Sequence, residues 1–320
     1  MDKTSDFSAM SAEERRSYIA QTAGLSQKQQ SLLCQEGGLS LEVADSMIDN
    51  VIGTYSLPIG VVRGLVVNGK EYLVPMVCEE PWVVSCAEKG AELAARCGGF
   101  HATYTGSIMI SQIQLTKISN PRTACLKVLE HKQEILELAN QADPILVSLG
   151  GGAFDVEAKP LDTEVGGMVI VQLLVDTKDA MGANAVNTMA EKAAPLLSKI
   201  TGGKSYLRIL SNLAVHRLAR VGVSVSCDVL GGEEVVDGIL TAHAFAYHDP
   251  FRACTSNKGT MNGASPVACA TGNDIRALEA GAHAYASRSG VYRPLTYWER
   301  SVSGAVSYTH LRAHETDQYL

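Results

Sequence analysis

Residues 251–288, FRACTSNKGTMNGASPVACATGNDIRALEAGAHAYASR, constrain this chain more than any other stretch. The first half is too rich in Ser, Thr, Asn and Gly to read as a core element, so a polar loop is expected there. A helix is expected to follow, with Thr271 as N-cap and Asp274 three residues on, in the manner of a capping box. Ala277, Ala280, Gly281 and Ala284 then place small side chains along one side, where another backbone can come close. Such a helix keeps good propensity, since one glycine costs only ~1 kcal/mol relative to Ala. It is built for burial between other elements. Arg252 offers a planar fork for a carboxylate and Lys258 a movable point charge. With Asp274 they suggest an anionic substrate and chemistry on a carbonyl; a solvated loop with its charges in water is the competing reading.

Composition narrows the class. A chain of 320 residues with 46% hydrophobic and 19% charged residues reads as an ordinary globular protein of one large domain or two. The net charge of -7, with no basic stripe, argues against a nucleic-acid partner. No apolar run is long enough to span a membrane. The polar start MDKTSDFSAMSAEERR does not read as a secretory signal. The eight cysteines are scattered without a C-x-x-C pair, which suits reduced thiols and a cytoplasmic location, and no metal site.

In chain order, Ser11-Ala-Glu-Glu14 is a capping box opening a helix towards Ala23. A second helix follows Ser26 and stops at Gly37-Gly38; a third runs from Ser40 to about Asn50. Alternating apolar segments, Ile59 to Val67 and Glu71 to Cys78, read as strands joined by the Asn68-Gly69 turn. The second strand delivers Glu79-Glu80-Pro81. One carboxyl there can turn into a pocket and keep its proton while the other stays wet, or the strand end simply reaches solvent. A helix spans about Val84 to Arg96. A composition shift near Gly106 marks a boundary. Beyond it come a strand (108–118), a helix (124–140), a loop with Asp143-Pro144, a strand (168–175), a helix (185–200) and a strand (206–210). That order suits a two-layer α+β unit of ferredoxin-like type. The turn Asp179-Ala-Met-Gly-Ala-Asn184 has the ingredients of a phosphate cradle, but neither dinucleotide nor P-loop signature is present. Strand-like sequence (221–230) and a helical stretch (237–247) lead back to the opening segment.

Together the residues resemble a known family. The strings Asn50-Val-Ile-Gly53, Glu79-Glu80-Pro81, Asp179-Ala-Met-Gly-Ala-Asn184 with Val186-Asn187-Thr188-Met189-Ala190-Glu191, Asn257-Lys258-Gly259 with Met261-Asn262-Gly263, and Ala270-Thr271-Gly272-Asn273-Asp274 stand in one register. In these the chain resembles the 3-hydroxy-3-methylglutaryl-CoA reductases, of the bacterial class II group, over about residues 10 to 300. The resemblance implies an α+β protein. Its large substrate-binding and dimerisation domain (1–106 and 212–300) would hold a long central helix, with a small cofactor domain (107–211) inserted. It implies interconversion of 3-hydroxy-3-methylglutaryl-CoA with mevalonate plus CoA by two nicotinamide hydride transfers. Glu80, Lys258 and Asp274 match the catalytic residues. An ammonium suits the oxyanion formed at a thioester carbonyl, and a protonated acid suits the second reduction. Asp274 would hold Lys258 in place. Arg252 matches the arginine gripping the substrate carboxylate, with Asn212, Thr255 and Asn262 in the same pocket. Met181, Gly182, Ala183, Asn184 and Asn187 match the dinucleotide loop. Asp143 falls where an acidic residue binds the adenosine ribose, which favours NAD over NADP because a 2′-phosphate meets like charge. The family also implies a homodimer or higher assembly with interfacial sites.

The departures are specific. Asp49 replaces Glu ahead of Asn50-Val-Ile-Gly53, and Trp82 stands where a small or hydroxylated residue is usual, to narrow the pocket or turn into the core. Ser301 to Leu320 (SVSGAVSYTHLRAHETDQYL) read as neither the next family strand nor a domain end. A truncated gene is the expectation there, without the histidine that protonates the CoA thiolate; His310 and His314 match nothing. His243, His248 and His283 read as structural. A degradative NAD enzyme is the leading expectation, with a biosynthetic NADPH reductase or an inactive dimerising, CoA-ester-binding fragment as alternatives.

Overall fold

The computed structural model describes residues 7, 9–34, 38–301 and 306–308, with Cys34 and 306–308 described by backbone alone. Helix α1 (Ala12–Thr22) opens on the expected capping box, in which Glu14 N donates to Ser11 Oγ at 3.2 Å and Ser11 N to Glu14 Oε2 at 2.7 Å. Helices α2 (Gln27–Cys34) and α3 (Leu41–Met47) follow. Of the expected stop at Gly37-Gly38, Gly37 lies outside the described residues. Strands β1 (Ile59–Val67) and β2 (Lys70–Val77) pair antiparallel across Asn68 and Gly69, both at positive φ as the tight hairpin turn requires. Helix α4 (Val83–Ala95) covers this hairpin over Val62, Met76 and Ala91. Strand β3 (His101–Tyr104) follows, unforeseen in the sequence.

Residues 108–211 build one two-layer unit. Its elements are β4 (Ile108–Thr116), α5 (Pro121–Glu130), α6 (Lys132–Asn140), α7 (Pro144–Ser148), β5 (Gly152–Leu161), β6 (Met168–Asp176), α8 (Ala183–Thr201) and β7 (Lys204–Ser211). The sheet runs β5-β6-β4-β7, antiparallel throughout, which is the ferredoxin-like order expected. Ile113, Leu115, Val169, Val171 and Leu173 turn one sheet face to Val128, Ile135, Met189 and Leu197 on the helices, all fully buried. The helix expected over 124–140 is two. His131 leaves helical geometry, and its Nδ1 lies 2.9 Å from the Lys127 carbonyl, competing for a backbone acceptor. Strand β5 was not expected. Its Glu157, Lys159 and Pro160 blur the apolar alternation, which an edge position tolerates.

The chain enters this unit through Thr105 and leaves it through Asn212, and the two crossings are joined. Thr105 N donates to Leu218 O (3.0 Å), Leu218 N to Thr105 Oγ1 (2.8 Å), and Thr105 Oγ1 to His216 O (3.0 Å).

Strand β8 (Ala219–Val225), α9 (Cys227–Leu230), α10 (Glu233–His248), α11 (Pro250–Ala270), α12 (Ile275–Ala286), β9 (Trp298–Arg300) and β10 (Val306–Tyr308) complete the chain. The loop expected from Phe251 onward is instead the longest helix described, 21 residues. Asp249 caps it, accepting from Arg252 N at 2.7 Å, and Pro250 starts it. Its hydroxyl residues bond back to the preceding turn, as Thr255 Oγ1 does to Phe251 O and Thr260 Oγ1 to Ser256 O, both at 3.3 Å. Thr271 is the C-cap of α11, not the N-cap of the next helix; Asp274 caps α12. The tail also corrects expectation: residues 306–308 pair between β8 and β9 in the sheet β3-β8-β10-β9. His310 and His314 lie outside the described residues.

Candidate active site

Strand β2 ends by handing Glu79 and Glu80 to the face of α11, and there Lys258 Nζ donates to Glu80 Oε2. Asn262, one turn on, places Nδ2 3.4 Å from the same oxygen. Glu80 is half-exposed and paired with the Lys258 ammonium, and Glu79 beside it lines the same cleft. The pair lines a cleft of about 490 Å³ between β2, α11 and α12. From α11 come Cys254, Lys258, Met261, Asn262, Ser265 and Cys269, a stripe at three-, four- and seven-residue spacing on one helix face. Buried Asn257 fixes the back of α11: its Nδ2 donates to Arg293 O at 2.9 Å, and Leu295 N donates to its Oδ1 at 2.7 Å.

Asp274 does not meet Lys258 in any described contact. Its Oδ1 accepts from Arg276 N (3.0 Å) and Ala277 N (3.1 Å), and the Arg276 guanidinium lies 3.4 Å away. The Ala277 amide first, then the charge and amide of Arg276, hold the Asp274 carboxyl below the ordinary carboxylate range. Arg252 and Thr255 stand on α11, and Asn212 in the turn after β7, outside the residues lining the cleft. Asn212 nevertheless reaches this region: a Cβ at Gly281 of α12 would lie 2.6 Å from the Asn212 carbonyl oxygen, so the close backbone approach expected along the small-residue face is made within the chain.

Two cleft residues escaped the sequence reading. Glu279 and His283 stand one turn apart on α12, below Ile275, and all three line the cleft. Their four-residue spacing after the Asp274 cap was the available signal. His283 is therefore a cleft residue rather than a purely structural one. Burial pushes the phenol of its partner Tyr292 up, which keeps the Tyr292 proton in place.

The residues expected to form a dinucleotide loop gather at the start of α8. Gly182 is its N-cap at φ +94, where a Cβ would strike Met109 Sδ and Thr177 Cγ2 at 2.6 Å each. No side chain caps this end. Met181 and Asn184 are exposed, and Arg217 donates to the Met181 carbonyl at 3.3 Å, a cation the sequence reading did not include. Backbone N–H groups, a positive helix end and a nearby guanidinium fit a pyrophosphate. Asn187 is already engaged, its Oδ1 accepting from Leu210 N at 2.8 Å, and Asp143 accepts from Leu146 N at 2.9 Å as the cap of α7. Trp82 neither enters the core nor lines the cleft. It is 78% exposed and holds φ +70, which is strained for an indole-bearing residue.

Fold and cleft define an α+β protein in which a ferredoxin-like unit is carried beside a long helix bearing a lysine–glutamate pair. The family model for hydroxymethylglutaryl-coenzyme A reductase matches residues 11–311, past Arg300, where the resemblance was expected to stop. The chain belongs to that family. It is 56% identical over 293 residues to 3-hydroxy-3-methylglutaryl-coenzyme A reductase of Archaeoglobus fulgidus, covering 92% of this chain and 67% of that protein. It is 33% identical over 259 residues to the probable reductase of Borreliella burgdorferi, covering 78% of this chain and 58% of that protein. The reductase structure from Streptococcus pneumoniae superposes with a TM-score of 0.93 at 40% identity, over 96% of this chain and 74% of that one. A class II Streptococcus pneumoniae structure described as bound to NADPH in open conformations gives 0.92 at 40% identity, over 96% and 84%. Among the described residues no helix is long and apolar enough to cross a membrane, and no cluster is suited to a metal ion.

Proposed function

We propose that this chain is a 3-hydroxy-3-methylglutaryl-CoA reductase working with a nicotinamide cofactor. The observation that carries the reading is the Lys258–Glu80 contact, joined by Asn262, in a cleft on a chain belonging to that family. The cofactor, when bound, supplies the two hydrides. Lys258 places a positive charge where the thioester carbonyl oxygen gains negative charge. Glu80 holds the ammonium towards the cleft and stands where a proton can pass to the product alkoxide. Arg252, Thr255, Asn212 and Asn262 bind the substrate's free carboxylate, and Asp274 is the third catalytic residue. Residues 1–106 with 212–300 act as the substrate-binding part and 107–211 as the cofactor-binding part. Met181, Gly182, Ala183, Asn184 and Asn187 receive the pyrophosphate.

We read the enzyme as an NAD-dependent, degradative, cytoplasmic homodimer or higher homo-oligomer. Asp143 carries the NAD preference, and the NADPH described for the Streptococcus relative makes that residue the one to test. Nicotinamide absorbance with mevalonate and CoA, and in reverse with the thioester, tests the activity. Turnover with both nicotinamides at equal concentration tests the preference, and a clear NADPH advantage would refute it. No absorbance change in either direction would reduce the chain to a binding fragment.

A further inference from the structure

A second cavity stands back to back with the cleft, and the reductase reading gives it no role. It encloses about 410 Å³ between α1, α2, β1 and α4, a size that suits a small ligand. Ile19, Leu33, Ile59, Val61 and Val84 make most of its wall apolar. Ile59 and Val61 share one face of β1, two residues apart. The partition from the cleft is thin. Val77 lines the cleft while its strand partner Ile59 lines the cavity, and on α4 Val83 lines the cleft while Val84 lines the cavity.

Two cations interrupt the apolar wall. Arg15 and Arg16 line the cavity from α1 and are half-buried, yet no ion pair among the described residues includes either. Withdrawing a cation from water without a partner is costly, so the two guanidiniums favour an anionic ligand. The acid in the wall, Glu88, is already engaged. Arg63 Nε donates to its Oε1 at 2.7 Å, and the same guanidinium lies 4.0 Å from the centre of the Phe7 ring. Of the acids nearest in sequence, Glu14 is bonded to Ser11 in the capping box, and Glu13 is exposed outside the wall. The cavity therefore joins an apolar wall to an excess of positive charge.

That combination selects a ligand. A carboxylate head matches the planar fork of an arginine. The remainder of the ligand must be apolar. A peptide would bring amide groups, for which Ser85 is the only uncharged hydrogen-bonding side chain in the wall. An aliphatic chain requires none. We propose that this cavity is a binding site for an aliphatic carboxylate, its head on Arg15 and Arg16 and its chain along Ile19, Ile59, Val61 and Val84. The site is separate from the cleft and does not depend on what the cleft binds.

The test is calorimetric titration of the full chain with decanoate below its micelle concentration, and saturable binding is expected. Decyltrimethylammonium, with the same chain and the opposite charge, does not bind. Butanoate, with the same head and six fewer methylenes, binds at least about 10²-fold more weakly. Arg15→Gln combined with Arg16→Gln weakens decanoate binding about tenfold or more. Leu33→Glu, at an exposed position on α2, brings a like charge to the wall and also weakens it. Lys258→Ala, in the cleft, binds decanoate as the parent does. Melting temperatures identify a variant that fails to fold, and the ligand series on the parent chain needs no variant. No saturable binding, equal binding of decyltrimethylammonium, unchanged affinity in the folded cavity variants, or lost binding in Lys258→Ala overturns the proposal. Absent decanoate binding together with a changed sedimentation coefficient in the double arginine variant assigns the cavity to a second copy of the chain, and overturns it equally.

Discussion

Between β4 and β7 one continuous cluster of buried side chains runs from Ile113 to Leu197, closed on both layers. Around the cleft, by contrast, the buried clusters are small: Val62, Met76 and Ala91 under α4, and Met261, Ala286 and Leu295 behind α11. The side chains facing the ligand space there are half-exposed and charged. A large apolar core resists loss of any one member only by its cooperativity, and each deletion leaves a cavity. A polar face contributes little to stability and leaves its charges available to a ligand. The molecule therefore separates the part that holds shape from the part that carries charge.

That contrast can be broken most decisively at Lys258. Lys258→Ala should lower turnover by about 10²- to 10³-fold, as loss of one preorganised oxyanion donor does, while the melting temperature stays near that of the parent. A variant with full turnover removes Lys258 from the chemistry. Next in size is Leu173→Ala in the middle of β6, where a fully buried side chain leaves a cavity and the expected loss is about 3 kcal/mol in denaturant unfolding. A loss under about 1 kcal/mol would show that the core collapses around the gap. Asn257→Ala belongs between the two regions. It strands Arg293 O and Leu295 N at the back of α11, and about 2 kcal/mol is expected, with a fall in turnover because α11 shifts.

The smallest effect is electrostatic. Lys132 beside Asp155 and Lys178 beside Asp176 hold those carboxyls below the ordinary carboxylate range, their hydrogen bonds being the leading cause. Folded values that are depressed stabilise the protein above the ordinary range and cease to do so as pH falls through them. Thermal melts from pH 6 to pH 3 should lose a few tenths of a kcal/mol per pair, since both are partly exposed, and Lys132→Gln should flatten part of that slope. Stability rising on acidification would reverse the sign and remove these pairs from the account.

Local chemistry made much of the fold legible. The Asn68-Gly69 turn, the Ser11–Glu14 box and the alternating apolar segments of β1 and β2 each state one conformation. Strand β5 hid behind Pro160 and its polar neighbours, because an edge need not alternate cleanly. Helix α11 hid behind Ser, Thr and Asn, whose low propensity is overruled by its Asp249-Pro250 start and by packing against β2 and α12. At the site, Glu80, Lys258 and Asn262 came from family resemblance, and the cleft joins them. Ser265, Glu279 and His283 needed the structure, because they meet only after α11 and α12 fold back on each other.

The Thr105 clasp has a mechanical consequence. One threonine side chain and two amides tie the inbound and outbound crossings together at residues 105, 216 and 218. Any rigid-body swing of the 108–211 unit would have to pivot near that clasp or break its hydrogen bonds, which would limit the travel of the N-terminal end of α8. Loosening Thr105 would widen that travel without touching a single residue of the cleft.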